Sequence, residues 1–397
     1  MQIVQINAVY ETGSTGRSVM ELDRAIRAAG EGSFVFCTNR SDAANGIYPM
    51  GTGLSRRFHG LMSRLTGLQG YFSFFATRRM LQRLDEIKPD VVHLHNLHGN
   101  YIHVNMLLDH LIREHIPTVV TLHDCWFFTG HCCHFLEDDC DRWRYGCGRC
   151  PARRKWNKSW FWDTSARVLR DRRQRFEKLD PLVIIGVSDW VTDACRESLI
   201  RSRARFQRIY NWIDLSAFRP PAAKPKNERP LILSVSQSWS AIKGLDDILS
   251  VAGERPTYRF VLIGACPRVK APQNVTCTGP IIEIDQLVFW YQRADVLLHL
   301  SYQETFGKVI AEALACGTPA VVYDAAAMPE LIGPGCGHVV KKGDWRAAGE
   351  AVDALIQTGH DSASTCRAFA ESRFDSSALT EAQIAVYRSI CRGTGPR

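Results

Sequence analysis

Residues 301–333 read SYQETFGKVIAEALACGTPAVVYDAAAMPELIG. The apolar run from Asp295 to Leu300 precedes them and ends in a polar loop, Ser301 to Gly307. Lys308 to Ala315 has a helical pattern. Cys316-Gly317-Thr318-Pro319 stops it, since glycine caps a helix and proline cannot extend one. A second apolar run, Ala320 to Tyr323, follows. This order predicts a buried parallel strand, a loop, a helix and another buried strand. The loop falls where the carboxyl end of a parallel strand meets a helix N-terminus, a place whose N–H groups and dipole favour an anion. Glu304 and Glu312 bracket it. A carboxylate accepts from two vicinal hydroxyls, which suits a ribose or hexose, although paired acids also serve as caps and ion-pair partners.

The same alternation runs along the rest of the chain. Ile3–Val9, Ser33–Cys37, Val91–His95, Thr118–His123 and Leu182–Ser188 are short apolar runs, with helical patterns such as Ser18–Ala29, Phe75–Ile87 and Val104–Glu114 between them. The second half restarts with Leu231–Val235, Arg259–Ile263, Val275–Thr278, Asp295–Leu300 and Ala320–Tyr323. Strands alternating with helices give parallel sheets covered on both faces. Proline and lysine rise over 214–229, so the boundary is expected there. The expected domains are 1–213 and 214–376, with a helical tail at 377–397 packing back on the first. Two doubly wound halves imply a cleft between them.

The chain has 397 residues, 45% hydrophobic and 23% charged, with a net charge of +8. That suits two full cores and excludes a disordered chain. No run of eighteen apolar residues predicts a transmembrane helix. The start, MQIVQINAVY, reads as a strand rather than a leader, so a cytoplasmic protein is expected. The basic excess fits anionic partners: nucleotide phosphates, a lipid surface or nucleic acid.

Glu304-x7-Glu312 within ETFGKVIAEALACGTPAVV, continuing to Pro329-Glu330, resembles the signature of retaining nucleotide-sugar glycosyltransferases of family 4, which have the GT-B fold. Asn211-x-Ile213-Asp214 with Phe218-Arg219-Pro220 resembles the family's hinge sequence. Lys243-Gly244-Leu245 resembles its phosphate-binding lysine segment, and Val120-Thr121-Leu122-His123-Asp124 its N-domain histidine motif. The resemblance implies that Glu304 contacts the donor sugar and Glu312 the ribose. The backbone of Phe306, Gly307, Lys308 and Val309 would lie on sugar and diphosphate, and His123 beside the donor sugar. It implies same-face attack, the leaving phosphate taking the acceptor proton.

Lys243 is placed to meet charge growing on a diphosphate leaving group, which stabilises the transition state more than the ground state. No metal is therefore expected in the chemistry. The family's arginine about six residues earlier is missing; Ser236-Gln237-Ser238-Trp239-Ser240 stands there, so Gln237, the serines or Arg268 would serve. Gly13, Ser14, Thr15 and Gly16 lie in a glycine loop after the first strand, suited to close approach of a phosphate. His93, His95 and His98 also follow a strand and would line the acceptor side.

Cys132, Cys140, Cys147 and Cys150, with a C-x2-C knuckle, have the chemistry of a tetrahedral structural zinc; Cys133, His131 or His134 could replace a ligand, and reduced thiols or disulfides are the alternatives. The Cys-x2-Cys-Pro block resembles an insertion of the colanic-acid and exopolysaccharide branch. Ser55–Arg83 and Arg153–Lys178 mix basic residues with aromatics, the first without any acid. Solvated helix faces or an anionic membrane interface explain such runs. The expected function is transfer of a sugar from a nucleotide diphosphate sugar to a lipid-linked glycan in surface polysaccharide synthesis, at the inner face of the cytoplasmic membrane. A sugar phosphorylase or nucleotide-sugar epimerase shares the architecture. A nucleic-acid-binding zinc protein leaves the two glutamates unexplained, so no nucleic-acid partner is expected.

Overall fold

The computed structural model describes residues 1–198, 200, 204–358 and 362–392. These form two compact units. The first holds Met1–Ile209 and the chain from Thr380 on; the second holds Tyr210–Leu379.

The sheet of the first unit contains β1 (Gln2–Ile6), β2 (Gly32–Cys37), β3 (Ile47–Pro49), β4 (Val91–Leu94), β5 (Thr118–Leu122), β6 (Leu182–Gly186) and β7 (Arg205–Arg208), in the order β3-β2-β1-β4-β5-β6-β7. The second contains β8 (Leu231–Ser238), β9 (Arg259–Ala265), β10 (Val275–Gly279), β11 (Val296–His299), β12 (Ala320–Asp324) and β13 (Gly337–Lys341), in the order β10-β9-β8-β11-β12-β13. All pairings are parallel. Each order reverses once, between β1 and β4 and between β8 and β11. Ligands of doubly wound sheets bind outside the carboxyl ends of the strands at such a reversal.

The central strands are the apolar runs of the sequence, and their side chains are buried on both faces. Apolar runs alone do not reveal β3, β7 and β13. All three are sheet edges, and exposed strands such as RFQR in β7 and GHVVK in β13 lack the continuous apolar signal of a covered strand.

Two expectations shift. Gly13–Gly16 is not a loop: the helix runs Gly13–Ala28, so these residues are its first turn. A tight turn precedes it, with Glu11 in the left-handed region (φ +69°), Thr12 N–H donating to Tyr10 O (2.8 Å) and Glu11 N–H to Gly16 O (2.9 Å). The unit boundaries fall after Ile209 and Leu379 rather than at 213 and 376. Tyr210 belongs to the second unit because its ring packs on Phe306 and Phe374, at 5.8 and 5.7 Å between centroids, and its hydroxyl accepts from Arg373 (2.6 Å). The terminal helix, Ser376–Arg392, packs on the first unit from Thr380 on, with Tyr387 Oη 2.7 Å from His93 Nδ1. Residues 393–397 of the expected tail lie outside the described residues.

Candidate active site

In the second unit the loops after β8 and β11, the two strands at the reversal, are stitched together. Ile242 O accepts from Tyr302 N–H (2.8 Å) and from Ser301 Oγ (3.2 Å). Gly244 makes the approach possible: a Cβ there would sit 2.0 Å from Leu300 O, and its φ is +71°. The turn Ala241–Lys243 is thereby held against the end of β11. Lys243 Nζ then donates to Glu304 Oε1 at 2.6 Å, across 61 residues of sequence.

His299, the last residue of β11, lies on the other side, with Nε2 3.3 Å from the same oxygen. Burial alone would push the Glu304 carboxyl up. The Lys243 ammonium and the His299 hydrogen bond outweigh it and hold Glu304 well below the usual carboxylate range. Glu304 is thus ionised at neutral pH, and Lys243 balances its charge. The sequence marks His299 only as a polar interruption in the apolar run Val296–Leu300; its contact with Glu304 depends on the loop folding back.

The loop then turns at Gly307 (φ +92°) into the helix Lys308–Ala315. First-turn N–H groups have no partner further back in the helix, so Gly307, Lys308 and Val309 begin an anion-favouring turn. Phe306 is 2% exposed, and its ring packs 5.6 Å from Phe374. Glu312 is buried within the helix, and its Oε2 accepts from Tyr291 Oη at 2.9 Å. Gln237 is exposed at the end of β8, and Arg268 is exposed in the loop after β9.

In the first unit His123 follows β5, partly exposed. Its Nε2 lies 3.0 Å from His95 Nδ1, and His95 Nε2 lies 3.2 Å from Gln5 Oε1. With Gln5 Oε1 as acceptor, His95 donates from Nε2 and accepts at Nδ1. His123 then donates from Nε2, which puts its lone pair on Nδ1. Burial pushes His93 and His95 well below the usual histidine range, so both are neutral. His98 behaves oppositely: burial works against its charge, but Asp124, 2.7 Å away, raises it. The two are hydrogen-bonded, and Asp124 follows His123 in the chain.

A residue hidden in the sequence organises this edge. Arg172 looks like one of many cations in Arg153–Lys178, yet it is 2% exposed. Its Nη1 donates to the carbonyls of Trp126, Phe127 (3.1 Å) and Thr129 (2.8 Å), and its guanidinium lies 3.7 Å from the Trp126 ring centroid. Burial pushes it down to about 10, still a cation at neutral pH.

Two family models match the two halves of the chain. A model described as glycosyltransferase family 4 matches residues 15–217, and one described as glycosyl transferases group 1 matches 218–373. The chain belongs to glycosyltransferase family 4. The chain is 24% identical over 271 residues to WcaC of Escherichia coli K12, named as a putative colanic acid biosynthesis glycosyl transferase, and spans 64% of that protein's length with 64% of its own. It is 24% identical over 326 residues to a 41.2 kDa protein of the cps region of Klebsiella pneumoniae, covering 78% of this chain and 82% of that one. Among solved structures it resembles sucrose-phosphate synthase of Thermosynechococcus elongatus (TM-score 0.75, 15% identity, 99% and 100% covered). It also resembles HepE of Anabaena, solved with UDP-glucose (TM-score 0.65, 16% identity, 98% and 99% covered). At these identities the structural likeness shows the fold, two doubly wound GT-B units.

All fourteen cysteines of the chain are free thiols. Cys147 Sγ accepts from Gly130 N–H at 3.3 Å, and Cys147 and Arg149 sit in left-handed backbone, φ +55° and +48°. Burial, followed by Asp163 and then the Cys147 and Cys140 thiols, pushes Cys150 up to about 12. Burial also lifts Cys147 to about 11, with Cys140 adding to it. Cys132 rises for the same two reasons, through burial and through Cys150, Cys147 and Cys140. The four thiols therefore sense one another, but they do not form a closed ligand set. Among the described residues, the group whose ligand atoms all lie within 4.8 Å of one another is His98, Asp124 and Cys133. The His98–Asp124 bond and the bond between the Cys133 thiol and Asp124 account for that spacing. A zinc on Cys132, Cys140, Cys147 and Cys150 would have to draw the sulfurs in to about 2.3 Å from the ion.

Proposed function

We propose that the protein is a retaining glycosyltransferase. It moves a sugar from a nucleotide diphosphate sugar to a lipid-linked glycan acceptor in surface polysaccharide synthesis. The observation that carries this reading is the Lys243–Glu304–His299 cluster at the strand-order reversal of the second unit, beside the helix start at Gly307. A cation and a set of backbone donors suit a diphosphate, and an ionised carboxylate suits sugar hydroxyls. The names of the Escherichia coli and Klebsiella pneumoniae relatives support the polysaccharide setting.

In this reading Glu304 accepts from donor-sugar hydroxyls. Lys243 shifts part of its attraction from Glu304 to the diphosphate as the glycosidic bond breaks, which lowers the barrier more than it tightens binding. The N–H groups at the start of Lys308–Ala315 hold phosphate oxygens, and Gln237 adds a neutral donor where the family has an arginine. Glu312 accepts from ribose hydroxyls, which requires its bond from Tyr291 to be shared or exchanged. Within the first unit, Gly13 to Gly16 supply a helix start suited to an anion, and His95 orients His123 for a hydrogen bond to a sugar hydroxyl. Leaving-group phosphate takes the acceptor's proton, so the protein supplies no nucleophile and the chemistry needs no metal.

Screening nucleotide sugars for slow hydrolysis by the purified protein tests the reading. One donor should stand out, and Glu312→Ala should abolish its binding while the far-UV spectrum stays the same. Wild-type donor affinity in that variant, or phosphorolysis without any nucleotide, would sink the assignment.

A structural zinc on the four cysteines is part of the same proposal. Elemental analysis should find about one zinc per chain, the number that a single site of four thiolates holds. Cys147→Ser with Cys150→Ser should lose it and lower the melting temperature. Metal-free protein with four titratable thiols would leave these cysteines as packing groups.

A further inference from the structure

The helix Gly53–Thr66 is turned inside out. The residues it buries are His59, Gly60 and Ser63, whereas Leu54, Phe58 and Leu61 stand 78%, 58% and 45% exposed on its outer side. The inward face is satisfied by polar contacts: His59 Nδ1 lies 2.7 Å from Ser73 Oγ, and Nε2 accepts from Gly70 N–H at 3.3 Å. A helix folding only to feed its own core would show the reverse pattern, with the i, i+4, i+7 apolar stripe inward.

Two other segments extend the stripe. Gly51, just before this helix, faces Ala76: a Cβ built on it would lie 3.5 Å from the Ala76 Cβ, next in sequence to Phe75, which is 77% exposed. At the other end Trp160 N–H donates to Arg64 O (2.7 Å) and Gly67 packs against Trp162 O, placing Phe161 and Trp162, both about two-thirds exposed, alongside. Exposed large apolar groups in one patch mark a surface that is covered in use.

Charge identifies what covers it. No acid occurs between Ser55 and Arg83. Arg57, Arg64, Arg78 and Arg79 are exposed, and they make no ion pair among the described residues. A second copy of this chain would bring the same unpaired cations against each other. A bilayer with anionic headgroups offers phosphates to the arginines and acyl chains to the rings.

We propose that this face of the first unit, Gly53–Thr66 with Phe75 and the Phe161–Trp162 turn, docks the protein on an anionic lipid bilayer. The rings enter the headgroup region, and the four arginines pair with lipid phosphates. The patch adjoins the candidate site through Gln69, which donates to His98 O (2.7 Å) and accepts from Trp126 Nε1 (2.7 Å). A lipid-borne acceptor would thus meet the edge that carries His98 and His123. The proposal deepens the transferase reading, but its test does not pass through sugar transfer.

The test is vesicle flotation of the full chain, with phosphatidylcholine alone or mixed with phosphatidylglycerol, at low and high salt. Wild type should bind the mixed vesicles at low salt and release as salt rises. Arg57→Glu with Arg64→Glu should weaken binding at least about 25-fold, at about fivefold per basic residue near an anionic surface. Phe161→Ser with Trp162→Ser should weaken it at every salt. Both variants should keep the melting curve and donor hydrolysis of wild type. Docking is overturned if wild type ignores the anionic lipid or if both variants bind as wild type does. It is also overturned if the ring variant turns a dimer into a monomer on sedimentation, which would make a second copy the occupant. Failed flotation with donor hydrolysis intact sinks the docking alone, and bound vesicles without hydrolysis sink the transfer reading alone.

Discussion

Replacing Lys243 by methionine should lower sugar transfer by about 10²–10³-fold, the usual loss when one preorganised charge partner of a transition state is removed. Two effects combine. In the proposed role of Lys243 the diphosphate loses a cation, and Glu304 loses the partner that keeps it ionised despite burial. In the variant the Glu304 carboxyl should move up toward or beyond its ordinary range, held only by His299. Glu304→Gln should then do little further harm, because the two residues act as one unit. A double-mutant cycle on kcat/KM measures this, and additive losses would show that they act separately.

The same pair predicts a pH dependence of stability. Glu304 has a lowered value in the folded state, so its contribution is complete above the unfolded value, about 4.3. It is lost as pH falls through the folded value, because the unfolded chain then binds the proton more readily. Wild type should therefore exceed Lys243→Met in urea stability at pH 7, and the gap should close on acidification below about pH 4. A gap that is constant down to acid conditions would mean that Lys243 acts by packing alone.

Arg172→Leu should be the most damaging change in the first unit. It keeps bulk but strips donors from the carbonyls of Trp126, Phe127 and Thr129, all inside the fold. Each buried carbonyl left without a donor costs about 1 kcal/mol or more, so the loss should reach about 3 kcal/mol. At 2–4 °C per kcal/mol for a unit of this size, melting should fall by roughly 6–12 °C. Arg172→Lys should recover only part, since an ammonium lacks the planar fork that stacks on Trp126 while reaching several oxygens. A melting temperature within a degree or so of wild type would show that the three carbonyls find other donors.

Much of the second-unit site is visible in the chain itself. Glu304, Gly307 and Glu312 lie within nine residues, and local rules fix their relation: a strand end, a turn that wants left-handed backbone, and a helix. Lys243 is visible as a type and a position, but its contact with Glu304 is not. The glycine turn at 13–16 shows what local reading misses. The glycines suggest a loop, yet the Glu11–Gly16 hydrogen bond lets the helix begin at Gly13.

The basic stretches divide in the same way. Arg172 and its neighbours in Arg153–Lys178 are indistinguishable as residue types, and only the fold decides that one is buried over Trp126 while others face water. The outward stripe of Gly53–Thr66 has the periodicity of any amphipathic helix; which side faces the core is not written in the period.

By itself, then, the sequence determined two parallel α/β units and the strand–loop–helix order that sets Glu304 and Glu312 on either side of the turn at Gly307. Those follow from interactions between near neighbours along the chain: burial of apolar runs, glycine backbone and helix starts. The tertiary structure alone decided that Lys243 and His299 share one oxygen of Glu304, that His95 orients His123, and that Arg172 is buried. Each of these joins residues from separate segments. Their energies depend on distance and burial, which exist only once the strands have been ordered into a sheet.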